Sequence, residues 1–191
     1  MAINLQKGQR VSLDNAMQMA LVGLGWDTNK YDGGFDFDLD ASAFMLGANG
    51  KIQQESDFVF YNNKNGRNNA IKHMGDNLTG EGDGDDEVII IDFTKVPSDI
   101  EKIAICVTIH EAIERRQNFG QVSNAYVRVA KIANEFDSMG EDQLRFDLEE
   151  EFSIETGLVV CEIYRKNGEW KFNAVAAGYQ GGLETMLNMY Q

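Results

Sequence analysis

Helical periodicity is sustained only at the C-terminus of this chain; what precedes it is short apolar or alternating runs cut by Gly, Asn and Asp. That punctuation is the pattern of an all-β sandwich, in which every short strand must end in a turn. The spacing predicts strands over Met19–Leu24, Phe37–Leu46, Phe58–Tyr61, Glu87–Phe93, Ile103–Ile109, Tyr126–Ala133, Leu158–Arg165 and Trp170–Ala177. Asn49-Gly50 and Asn167-Gly168 supply pairs that tolerate the positive φ angles of a type I′ hairpin. Leu183, Met186, Leu187 and Tyr190 fall at i, i+3, i+4 and i+7, one apolar face of a short C-terminal helix. A helical turn is expected at Ser98–Lys102, after Pro97. With 191 residues, 43% of them hydrophobic, and no linker or repeat, a single domain over 1–191 is expected. The fold class is therefore all-β: a sandwich of two mainly antiparallel sheets with a short C-terminal helix.

The charge is uneven. Seventeen basic and 31 acidic residues leave −14, which disfavours nucleic-acid phosphates and anionic membrane surfaces as partners. Asp76, Glu81, Asp83, Asp85, Asp86, Glu87 and Asp92 lie in one window without Lys or Arg, and it holds half of that excess. A second acidic group, Asp27, Asp32, Asp36, Asp38 and Asp40, lies upstream. Asp36, Asp38 and Asp40 alternate with Phe37, Leu39 and Ala41, which on a strand puts the carboxylates on one face.

Like charges so close repel by about 1 kcal/mol per pair in water, and by more where partly buried, so a counter-charge is needed. A hard divalent cation is the natural one. Calcium takes six to eight oxygens in flexible geometry. The segment GDNLTGEGDGDDE offers carboxylates, Asn77, Thr79 and carbonyls freed by Gly80, Gly82 and Gly84. Zinc, copper or iron would want His or Cys, which neither segment supplies as a cluster. An EF-hand counted from Asp76 to Glu87 fails at Leu78, Gly80 and Glu81, so any site has another design. A solvated acidic loop is the competing reading.

GLGWD (23–27), DFDLDASAFML (36–46), the acidic loop, VTIHEA (107–112), NFGQVSNAYVR (118–128) and NGEWKFNAVAAGYQGGL (167–183) together resemble the TerD family of tellurium-resistance and stress-response proteins. The resemblance spans nearly the whole chain in the family's order. It implies a β-sandwich binding calcium, two ions, in loops at one end. It also implies a non-enzymatic role in tellurite and stress resistance, within membrane-associated complexes with other Ter-family proteins. The donors carried over are Asp27, Asp36, Asp38, Asp76, Asn77, Thr79, Glu81, Asp83, Asp85 and Glu87. Asp85 is preferred to Asp86 because it shares the parity of Glu87.

Other features have plainer readings. Cys106 and Cys161 sit in apolar runs as buried free thiols, unsuited to tellurite reduction. His110 is expected to be structural, with Glu111 a lesser candidate calcium ligand. His73 is expected in an exposed loop, and Arg115-Arg116 as a surface pair. Trp26 and Trp170 should support the loops. A metal-dependent phosphoesterase is the competing function, weakened because the acidic loop holds no His and no basic residue. No signal peptide or membrane-length apolar run is present, so a cytoplasmic protein without direct membrane insertion is expected, peripheral to the inner membrane only through partners.

Overall fold

Alternation along the long strands sends successive side chains to two environments, and the apolar set of each joins one shared core. The computed structural model describes residues 2–29, 34–82, 84–137, 139–148 and 152–191. In chain order the strands are β1 (Ile3–Asn4), β2 (Arg10–Ser12), β3 (Met19–Gly25), β4 (Leu39–Gly47), β5 (Phe58–Val59) and β6 (Ile71–His73). They continue with β7 (Glu87–Asp92), β8 (Ile100–Ile109), β9 (Tyr126–Ile132), β10 (Glu141–Asp147), β11 (Gly157–Lys166) and β12 (Glu169–Tyr179). Two α-helices are described, α1 (Ala112–Arg115) and α2 (Leu183–Tyr190).

The strands form two six-stranded sheets, ordered β1-β10-β9-β3-β7-β6 and β2-β12-β11-β8-β4-β5. Every named pairing is antiparallel except β1 with β10. The edge strands have two or three residues each, which leaves little backbone open to edge-to-edge association. Ala20, Val22 and Leu24 of β3 and Ile89 and Ile91 of β7 meet Leu39, Ala41, Ala43 and Met45 of β4 across the sandwich.

β4 is buried on both faces. Its outward Phe44 and Leu46 lie beneath α2, packed with Phe58, Cys106, Met186 and Tyr190. The main chain anchors α2 as well: Ile52 N–H donates to the Tyr190 carbonyl at 2.7 Å and Lys51 Nζ to that of Met189 at 3.0 Å. The expected C-terminal helix is thus present. Both cysteines are free and buried, and burial pushes their thiols up in pKa.

Three expectations are corrected. Ile100–Lys102 opens β8 instead of ending a helical turn, because Lys102 pairs with Leu46 on one side and Tyr164 on the other. Asn49-Gly50 closes a tight turn, but the strand that follows it against β4 is Phe58–Val59, reached after a 3₁₀ turn over Glu55–Asp57, and not the KIQQ segment. His73 is not an exposed loop residue; it lies in β6, 4% exposed. At the other hairpin Asn167 (φ 56°) and Gly168 (φ 81°) join β11 to β12 as the dipeptide requires. The short strands β1, β2 and β6, and most of β10, carry too little apolar periodicity to stand out in sequence.

Phe44 stacks on Phe58 (centroids 4.5 Å apart) and meets Tyr190 at 4.8 Å with no solvent exposure. Phe44→Ala is expected to cost about 3–4 kcal/mol in denaturant unfolding, by cavity formation and loss of the α2 contact. A loss below about 1 kcal/mol would mean that α2 docks without it.

Candidate cation site at the acidic end

The side chain of Trp26, at the end of β3, ties the two acidic segments together. Its Nε1 donates to the Phe37 carbonyl at 2.9 Å, and its backbone N–H donates to Asp86 Oδ2 at 2.9 Å. Its ring also lies against Gly80. Gln117 fixes the first segment from another side, with Nε2 donating to the carbonyls of Phe35 and Asp36. The backbone of Asp38 is held by His110, whose N–H donates to its carbonyl at 2.8 Å.

Of the three alternating carboxylates, Asp36 lies outside the strand and is exposed, whereas Asp40 in β4 and Asp38 just before it are about 95% buried. The hairpin-like return of the acidic loop brings Asp76 to them. One carboxylate oxygen from each of Asp38, Asp40 and Asp76 lies within 4.8 Å of the others. Glu87 opens β7 on its inner face, and its Oε2 accepts the Ala41 N–H at 2.6 Å, a bond across the two sheets. His73 Nε2 stands 3.5 Å from the same oxygen, with both side chains fully buried. Asp38 Oδ1, Glu87 Oε1 and both His73 ring nitrogens are buried without a hydrogen-bond partner among the described residues.

The acids respond as buried, mutually repelling groups must. Desolvation first, then Glu87, Asp38 and Asp76, raises Asp40 to a pKa of about 8. Asp38 and Glu87 are raised too, chiefly by burial. Tyr61 is raised by burial and then by Asp40, Asp76 and Asp38, so its ring borders the same cluster. At an effective dielectric near 20, two ionised carboxylates about 4 Å apart repel by about 4 kcal/mol. Two basic groups reach in: His110 Nδ1 lies 3.5 Å from Asp40 Oδ2, and Arg115 Nη1 lies 3.6 Å from Asp38 Oδ2.

The ten expected donors do not all converge. Asp38, Asp76 and Glu87 meet here, joined by Asp40, whose place on the alternating face was visible but which the inherited donor set omits. Asp36 and Glu81 are exposed. Asn77 organises the loop itself: its Oδ1 accepts the N–H groups of Thr79 and Gly80, and its Nδ2 donates to Asp86 at 2.8 Å. Thr79 Oγ1 accepts the Glu81 N–H. Asp27 takes a 2.6 Å bond from Asn124, and together with Asp85 it adds to the burial that raises Asp86. Asp83 and Asp32 lie outside the described residues.

Asp85 goes to the opposite side. It does not share the face of Glu87: Arg128 of β9 grips it, Nη2 to Oδ2 at 2.7 Å and Nε at 2.8 and 2.9 Å, and Tyr126 Oη donates to it at 3.1 Å. A Cβ at Gly23 would lie 2.2 Å from its carboxyl carbon, so the bare backbone of β3 makes the cradle for this ion pair. Tyr126, burdened by burial and then by Asp85, is pushed up to about 12. Sequence reasoning missed Arg128 and Arg115, since neither sits near the acidic segments in the chain.

Fold and site together define a class: a two-sheet β-sandwich whose acidic loops gather buried carboxylates at one end. The comparisons place it further. The TerD domain matches residues 1–190, and the chain belongs to the TerD family. It is 51% identical to general stress protein 16U of Bacillus subtilis, over all of this chain and 97% of that protein. It is 50% identical to tellurium resistance protein TerD of Serratia marcescens, with the same coverage. A solved homologue of telluride resistance protein (TerD) from Streptomyces coelicolor shares the fold, with TM-score 0.74 at 22% identity over 92% of this chain and 99% of that one. Among the described residues no helix is long and apolar enough to cross a membrane.

The raised acids set the sign of a pH dependence. A carboxyl raised in the folded state binds its proton more tightly there, so stability is lost as pH climbs from the unfolded value near 4 through about 8. With chelator present, the melting temperature is expected to fall by about 5 °C between pH 5.5 and pH 8. Asp40→Asn should flatten that slope; an equal slope in the variant would remove Asp40 as its source.

Proposed function

We propose that this TerD-family protein is a calcium-binding, non-enzymatic stress-response module, involved in tellurite resistance and working in complexes with other Ter-family proteins. The observation that carries the calcium reading is the convergence of Asp38, Asp40 and Asp76, with Asp38 Oδ1 buried and unpartnered. Two buried carboxylates and an exposed third, with only His110 and Arg115 at 3.5 and 3.6 Å to offset them, are an unfavourable set in the absence of a cation, and a fitting one for it. Asp38, Asp40, Asp76 and Glu87 would hold the first ion, with loop carbonyls completing the oxygen shell that calcium accepts. Asp27 and Asp86, near each other beneath Trp26, with Asp36, Glu81 and Asp83, are the remaining oxygen donors for a second. Bound calcium supplies positive charge; the chain's own residues supply the frame that orients the carboxylates.

The relatives' names support the wider role: one is a tellurium resistance protein and another a general stress protein. This chain is also 35% and 32% identical to the Serratia marcescens proteins named TerZ and TerX, and that kinship is the basis for proposing assembly among Ter proteins. A cytoplasmic setting, peripheral to the membrane through such partners, is part of the same reading.

Calorimetric titration of chelated protein with calcium, and separately with magnesium, tests the site. Saturable calcium binding is expected, with about 2.7 kcal/mol of added stability at a hundredfold excess over Kd. Asp40→Asn and Asp76→Asn should weaken binding at least about tenfold, a loss of about 1.4 kcal/mol each, while Glu184→Gln on α2 should not. Absence of heat with either ion and an unchanged melting temperature would reject the reading.

A phosphoesterase is the second reading, because His110 beside Asp40 and Arg115 beside Asp38 are the groups that the acidic loop itself lacks. A phosphoester screen with calcium or manganese decides it. Turnover that disappears in Asp40→Asn would establish an enzyme, and none is expected.

A further inference from the structure

Two arginines face carboxylates at the acidic end, and they are held very differently. Arg128 is locked on Asp85 by contacts of 2.7–2.9 Å. Arg115 stands 3.6 Å from Asp38, beyond hydrogen-bond reach, and makes its closer contacts to Glu111 at 3.2 and 3.3 Å. Its guanidinium lies over the ring of Phe35, 5.7 Å from the centroid. The first geometry is a fixed structural pair; the second is a long-range charge contact that can be given up at small cost.

The backbone around Arg115 has the same character. It lies on α1, a single turn bounded by Glu111 (φ 49°, ψ 35°) and Arg116 (φ 54°, ψ 43°), both left-handed and neither glycine. Side chains disfavour that region, so both ends of the turn are strained, a feature that collects at switch segments and ligand clamps. Phe35 and Ile113, which flank Arg115, are 64% and 74% exposed. Ala112 is the buried residue of the turn, and beyond it little apolar packing resists a shift.

We propose that Arg115 is an internal stand-in for the bound cation. It offsets Asp38 when no ion is present, competes with a divalent ion for that carboxylate, and is released together with α1 when the ion enters. Resting on the calcium reading above, the inference follows from charge. Ionised Asp38, Asp40, Asp76 and Glu87 with Arg115 sum to −3, most of which a divalent ion cancels; the guanidinium is then left facing that ion and is repelled by it. Glu111, already its closer partner, receives it. Ion occupancy thereby repositions Phe35 and Ile113, so that the state of a buried site is displayed on an exposed apolar surface.

Calcium titration of wild type, Arg115→Gln and Arg115→Lys tests the competition, with melting temperatures confirming that each is folded. Removing the charge should tighten calcium binding by about three- to tenfold, the range for one partly screened unit charge near the site. Arg115→Lys should stay within about twofold of wild type, since it keeps the charge. Hydrogen exchange on the wild-type protein tests the release without a variant. In calcium, the amides of Arg115, Arg116 and Gln117, which donate to the carbonyls of Glu111, Ile113 and Ala112, should exchange faster, while residues 76–87 exchange more slowly. Equal or weaker binding by a folded Arg115→Gln, or slower exchange over 111–117 in calcium, would overturn the proposal while leaving the calcium site intact. A wild type that binds no calcium overturns the site itself and this role with it. Should Arg115→Gln not fold, the exchange experiment decides alone.

Discussion

Like-charged carboxyls buried at one end of an apolar sandwich are the constraint around which this protein is built. Asp38, Asp40 and Glu87 are each at least 95% out of solvent, yet their neighbours are acids more often than bases. Burying charge is costly unless it is paired, and here part of the cost is met by protonation, as the pKa of about 8 at Asp40 shows. The remainder falls on the Ala41 amide, which donates to Glu87, and on the nearby basic side chains of His110, 3.5 Å from Asp40, and Arg115, 3.6 Å from Asp38. An arrangement so unfavourable in isolation persists because the surrounding sheets over-determine it.

Strand β4 shows how that is done. Its inward Leu39, Ala41, Ala43 and Met45 bind the two sheets, while the outward row runs from Asp40 through Ser42 to Phe44 and Leu46 under α2. The strand that carries the acids is thus clamped on both faces by apolar packing, and the carboxylates cannot separate by simple bending. Trp26 and Gln117 fix the approach to β4, and the Asp85–Arg128 pair, cradled at Gly23, fixes the descending arm of the acidic loop. The acids of that loop consequently divide. Asp76 and Glu87 face the cluster, whereas Asp85 serves as an anchor on the opposite face.

The long strands, the C-terminal helix and the Asn167-Gly168 hairpin were legible because each is dictated by local periodicity or turn stereochemistry. The edge strands were not: β1, β2 and β6 have two or three residues, and their hydrogen bonds come from neighbours distant in sequence. The Ser98–Lys102 segment failed for a related reason, since pairing with Leu46 and Tyr164 outweighs a weak local preference for a turn. At the site, the alternation of Asp38 and Asp40 was correct, but extending the parity of β7 back to Asp85 was not. β7 begins at Glu87, and alternation weakens beyond a strand's end: Asp38, one residue before β4, keeps the parity of Asp40, whereas Asp36 is exposed and Asp85 turns to Arg128.

By itself, the order of residues determined that two acid-rich segments would flank apolar strands, that Asp38 and Asp40 would share a face, and that half of the −14 would fall in one window. These follow from period and composition, which depend only on near neighbours in the chain. Which carboxylates meet was settled by the packing of one sheet on the other. That packing set Glu87 against Ala41, folded Asp76 onto Asp40, turned Asp85 away to Arg128 and carried Arg115 to Asp38. Alternation assigns a side chain its face, but the neighbours it finds there come from register and sheet packing, which couple residues far apart in the chain.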